Sequence, residues 1–149
     1  MKKLSLIVLS ILFASIFIGF TVEKPVVAHN SLEGVWEMKH QYIYENNEIQ
    51  DTLFDVNGKR QVKIYSNGKV MWSRYSPKDA NEWFGYGSYE IVDGFLEERL
   101  EYASNAMMKI VDTTAVFRFE LVVEKNSYSQ ISLDEEGNRY NSENYDRIE

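Results

Sequence analysis

At 149 residues the chain has room for one ordinary domain. It carries 23 acidic against 16 basic residues, and so acidic a surface repels phosphate backbones and leaves nucleic acid out as a partner. With no Cys there are no disulfides, thiolate metal sites, cysteine nucleophiles or lipidated N-terminal cysteine, while ten Tyr, eight Phe and three Trp against two Pro favour strands over helices.

The chain begins with Lys2-Lys3, continues through an apolar run from Leu4 to about Val22, and offers Val26-Val27-Ala28 where a signal peptidase would cut. That is the pattern of an export signal over residues 1–28. The same run, about 20 apolar residues, is long enough for an uncleaved anchor with the lysines left inside. Either way residues 29–149 are expected as the folded domain outside the cytoplasm, periplasmic or extracellular, touching membrane only through the N-terminal segment if it is retained. Loss of Lys2, Lys3, Lys24 and Glu23 with the leader makes the remainder more acidic still, which solubility alone explains.

From Gly34 to about Tyr44, Trp36, Met38, His40, Tyr42 and Tyr44 share a parity opposed by Glu37, Lys39 and Gln41, predicting a first strand with an aromatic inner face. Residues 45–59 keep a weaker pattern and read as a connection. Asn67-Gly68 is a type I′ hairpin signal between RQVKIYS and KVMWSRY, pairing Ile64 with Met71, Val62 with Ser73, Tyr65 with Val70 and Lys63 with Trp72. The Val62/Ile64/Met71/Tyr75 face is expected inward, because Gln61, Lys63 and Arg74 occupy the other.

Residues 76–82, with Pro77 and Asp79, form a loop, and the next hairpin turns at Asp93-Gly94. That turn sets Val92 opposite Phe95 and puts Ile91/Leu96, Tyr89/Glu98, Gly87/Leu100 and Gly85/Tyr102 on one face. Glu98 is the exception there, a carboxylate on the side that ought to be core. Residues 103–114 lack period-two alternation and fit a short helix or loop over one end, with Met107, Met108 and Ile110 as packing residues. Phe117, Phe119, Leu121 and Val123 make the next strand. A three-residue turn then pairs Phe119 with Ile131 and keeps the apolar set together, where a two-residue turn would pair Phe119 with Ser132. A last strand follows the turn at residues 135–138. Eight amphipathic strands joined as hairpins form an antiparallel up-and-down β-barrel, because closure removes the edges a flat sheet would leave open.

Leu32-Glu33-Gly34-Val35-Trp36 resembles the Gly-x-Trp opening of lipocalins and their calycin relatives. The segments Glu143-Asn144-Tyr145-Asp146-Arg147 and Gly85-Tyr86-Gly87-Ser88-Tyr89 further resemble a group of exported bacterial lipocalin-like proteins without assigned activity, and the likeness covers most of residues 32–149. It implies that Gly34, Trp36 and Arg147 form a structural signature, the Trp lying across the closed end of the barrel with the Arg over its ring. It also opens a second role, in which Tyr145 and Arg147 clamp a carboxylate, although the order Tyr-x-Arg reverses the motif of fatty-acid-binding relatives.

An inward Glu98 must be paired, hydrogen-bonded, hydrated or neutralised. Its functional reading is a polar anchor for a ligand, helped by Tyr89 and Tyr102, with His40 and Tyr145 as further candidate pocket residues. A hydrolase built on Glu98 would need a second inward acid, for which Glu143 is the candidate. His29 and His40 are too few and too far apart to make a zinc site, residues 134–137 lack the ligand ladder of an EF-hand, and no nucleotide fingerprint or Ser-His-Asp arrangement is present, so neither metal nor cofactor is expected. The expected function is non-catalytic binding of a small, largely apolar or aromatic molecule. The alternatives are a filled-barrel structural or interaction module of the cell envelope and, more distantly, the hydrolase. Gly85 and Gly87 on the inner face would give either room for a ligand or a point of close packing.

Overall fold

The computed structural model describes residues 32–54 and 58–149, so the expected leader over residues 1–28 and His29 lie outside the described part. Among the described residues nine antiparallel strands make one sheet: β1 (Gly34–Glu45), β2 (Glu48–Phe54), β3 (Arg60–Ser66), β4 (Lys69–Tyr75), β5 (Trp83–Val92), β6 (Phe95–Ala103), β7 (Phe117–Val123), β8 (Ser127–Leu133) and β9 (Arg139–Arg147), with a helix, α1 (Asn105–Val111), between β6 and β7. Each strand from β3 to β9 pairs with the next, and β1 pairs with both β3 and β9. The sheet is a closed ring. No edge is left on the eight strands that close it where they pair, which satisfies their backbone groups without an outside partner.

The ninth strand is the one not expected. Asn46 and Asn47 both take positive φ, 54° and 64°, and turn β1 tightly into β2 as an Asn-Asn version of the type I′ hairpin. The second half of β1, from His40, gives its edge to β2, whereas its first four residues, Gly34–Glu37, pair with Val62–Tyr65 of β3. Within the stretch 45–59, Glu48–Phe54 is therefore strand where a connection was expected.

Tight turns fix most of the register. Asn67-Gly68 and Asp93-Gly94 each place two consecutive residues at positive φ, and Ile64↔Met71, Lys63↔Trp72, Val92↔Phe95 and Tyr89↔Glu98 pair as expected. Between β7 and β8 the shorter turn prevails: Glu120 faces Ile131 and Val123 faces Tyr128. The three-residue register expected there is incorrect, because grouping all apolar residues was the wrong criterion. Ile131 is buried on the outer side, leaving Tyr128 and Gln130 for the interior.

The inner face of β3 and β4 is also the reverse of the one expected. Gln61, Lys63, Tyr65, Val70 and Trp72 are buried, while Ile64, Met71 and Tyr75 are 37%, 50% and 64% exposed. The aromatic and polar stripe wins the interior because the interior is itself partly polar.

The closed half of the ring is packed. Trp36, Tyr65, Tyr128, Tyr145, Val70, Leu96 and Leu32 are all at most 2% exposed. Trp36 meets Tyr128 edge-on at 4.9 Å, and Tyr128 stacks on Tyr145 at 4.6 Å. Trp36 donates from Nε1 to the Leu32 carbonyl at 2.7 Å, and the Arg147 guanidinium lies 4.0 Å over its ring. Arg147 also donates to the carbonyls of Glu33 and Lys125.

Candidate functional site

Above this packed half, the ring holds a half-open cavity of about 270 Å³. Alternation along each strand decides what reaches it. From β3 and β4 come Gln61, Lys63, Trp72 and Arg74, from β6 Glu98 and Leu100, from β7 Phe117 and Phe119, and from β8 and β9 Gln130 and Glu143. Trp83 at the start of β5, together with Met107 and Ile110 of α1, completes the wall. The helix is held in place by Ser104, whose Oγ accepts from the Met107 N–H.

The floor is a continuous polar network. Lys63 Nζ donates to both oxygens of Glu98, at 2.9 and 3.1 Å, and to Gln130 Oε1 at 2.9 Å. Gln130 Nε2 passes the connection to Glu143 Oε2 at 2.9 Å. Glu143 in turn accepts from Arg74 Nη2 at 2.9 Å and Gln61 Nε2 at 3.0 Å. Tyr65 donates to Glu98, and Tyr145 donates to Glu143. Two cations thus face two carboxylates, with two glutamines and two phenols filling the remaining valences. No fully buried side-chain polar atom among the described residues lacks a partner. Burial, reinforced by the nearby carboxylate charge of Glu98 or Glu143, pushes the Tyr65 and Tyr145 phenols well above their ordinary range; burial does the same for Tyr128. All three therefore stay donors.

Glu98 is 3% exposed and lies at the heart of this network. Tyr145 sits directly beneath the cavity, engaged with Gln61 and Glu143. The other expected ligand residues stand elsewhere. A bulge between Tyr86 and Gly87 shifts the register so that Tyr102 faces Tyr86 instead of Gly85. Tyr102 is turned outward, 57% exposed and stacked on Tyr86 at 5.1 Å. A second bulge skips Lys39 between the pairs Met38↔Tyr145 and His40↔Asn144, which reverses the parity of β1. Gln41 now partners the inward Glu143, and His40 lies on the outer face against Tyr42 and Phe54. Tyr89 keeps its expected partner Glu98 but packs its ring on Tyr65 at 4.9 Å and bonds Glu33, outside the cavity wall. Its phenol is pushed up to about 12 by burial and by Glu33. The carboxylate clamp is not formed either, since Tyr145 is committed to the floor network and Arg147 to Trp36 and two carbonyls.

Lys63, Arg74, Gln61 and Gln130 were not expected in the cavity. One signal pointed to them: an interior Glu98 demands an interior cation on a strand across the ring, and Lys63 and Arg74 share a face with the large aromatics Tyr65 and Trp72. The glycines serve close packing. A Cβ on Gly87 would lie 2.0 Å from the Arg99 carbonyl oxygen, and one on Gly85 would lie 2.8 Å from Trp72 Nε1.

No family model matches the chain, and no curated protein matches it. Among solved structures, the fold is similar to a crystal structure from Bacteroides uniformis, with a TM-score of 0.53 and 13% sequence identity over 78% of this chain and 98% of that one. That neighbour is a lipocalin-like protein. At such low identity the likeness is one of fold, and it agrees with the closed antiparallel ring. The cavity lies where the open half of the ring meets α1.

Proposed function

We propose that the chain is an exported, non-catalytic binding protein that holds a small, largely apolar or aromatic molecule inside a lipocalin-like barrel. The observation that carries this reading is the cavity itself: about 270 Å³, with Trp72, Trp83, Leu100 and Phe119 as walls over a polar floor. That volume lies near the lower end of the range of about 300–1,000 Å³ common for ligand pockets, and the mix of apolar wall and few polar groups is what such pockets use for affinity and orientation. Glu98 and Tyr145 act from the floor, holding the groups that face the ligand. Export over residues 1–28 would deliver the domain to the periplasm or medium, free or tethered.

The geometry gives the hydrolase reading little support, because Glu98 and Glu143 are each engaged by a cation and a phenol and not by one another. The interaction-module reading draws on a different surface, the outer stripe of Ile64, Met71 and Tyr102. Native mass spectrometry of the protein recovered from its own compartment separates the two. Binding predicts a mass increment lost on denaturation, or a thermal shift with a small neutral aromatic. A bare polypeptide that no member of an aromatic-metabolite library stabilises would contradict it.

A further inference from the structure

The floor balances its charges internally, and this limits what the cavity can accept. Lys63 is matched by Glu98 and Arg74 by Glu143, and Lys63 and Glu98 are each 3% exposed. An anionic ligand would add a third negative charge to a floor whose two cations are already matched by two carboxylates, and a cationic ligand would add an unmatched positive charge. The wall does have hydrogen-bonding capacity to offer. Trp72 is 7% exposed and lines the cavity, yet its indole N–H has no acceptor among the described residues. Since every fully enclosed polar side-chain atom there has a partner, this N–H borders open space, which at Trp72 is the cavity. Arg74, two residues along the same face of β4, spends Nε on Gln61 and Nη2 on Glu143 and keeps Nη1 uncommitted. The two residues are about 7 Å apart along the strand backbone. Uncommitted acceptors are scarcer, because both carboxylates and both glutamine oxygens already receive bonds.

Resting on the binding reading above, we infer that the ligand is an uncharged, flat molecule carrying an acceptor oxygen, such as an aromatic ketone, with that oxygen accepting from Trp72 Nε1 or Arg74 Nη1. The charge-balanced floor disfavours carboxylic acids of the same shape. The Trp72 donor disfavours hydrocarbons, which would bury it without a partner.

Three probes of one shape test this on the purified domain by calorimetry at neutral pH: 2-acetylnaphthalene, 2-naphthoate and 2-ethylnaphthalene. The ketone should bind at least about ten-fold more tightly than either of the others. In Trp72→Phe the ketone's advantage over the hydrocarbon should shrink, with hydrocarbon affinity kept. Naphthoate binding as tightly as the ketone would overturn the charge argument, and equal binding of ketone and hydrocarbon would overturn the donor argument. If none of the three binds, the binding reading itself fails and takes this inference with it.

Discussion

Lys63 and Glu98 show what one misplaced charge demands of its neighbours. Each is useless to the core alone, and together with Tyr65 and Gln130 they form a satisfied unit. Removing one partner leaves the other buried and uncompensated, so Lys63→Met or Glu98→Leu is expected to cost about 3–5 kcal/mol. The double variant should be less destabilised than the sum of the two singles, because it removes both charges at once. Urea midpoints for the four proteins check this; strict additivity would mean the pair is not coupled. The buried phenols make a second residue-scale prediction. Tyr65, Tyr128 and Tyr145 hold their protons more tightly folded than unfolded, so their contribution to stability is complete below about pH 10, the unfolded value, and is lost as pH rises beyond it. Absorbance at 295 nm should show these three ionising only above pH 10, in a steep step with unfolding. A smooth titration of all ten tyrosines near pH 10 would show that they are not buried as described.

Among the elements, turns were legible in the sequence and bulges were not. Asn67-Gly68 and Asp93-Gly94 announce their register because positive φ at two successive residues is tolerated by few residue types. The bulges at Lys39 and at Tyr86/Gly87 carry no comparable signature, and each reversed the facing of what followed it, His40 in one case and Tyr102 in the other. Gly87 is the trace that the second bulge leaves. Gly87→Ala should cost about 3 kcal/mol or more, since its Cβ would meet a backbone oxygen that has no easy retreat. Gly68→Ala, with φ of +73° but open space around it, should cost only about 1 kcal/mol. Denaturant midpoints in the opposite order would mean that the close strand approach at Gly87 is not present.

At the scale of the whole molecule, closure converts a series of hairpins into a container with a packed half and a hollow half. Closure was legible because many amphipathic strands leave costly edges. The polar interior was not, because sorting faces by hydrophobicity assumes a dry core, and that assumption sent Gln61, Lys63 and Arg74 to the wrong side. Glu98 was the residue that contradicted it from the start. The most direct test of ligand binding in the hollow half follows the side-chain N–H signals of Trp36, Trp72 and Trp83 by NMR as 2-acetylnaphthalene is added, with single Trp→Phe variants supplying the assignments. Trp72, on the cavity wall, should shift in proportion to occupancy, while Trp36, bonded to the Leu32 carbonyl at the packed end, should stay in place. Trp36 moving while Trp72 stays fixed, or no indole signal moving at saturating ligand, would contradict binding inside the ring.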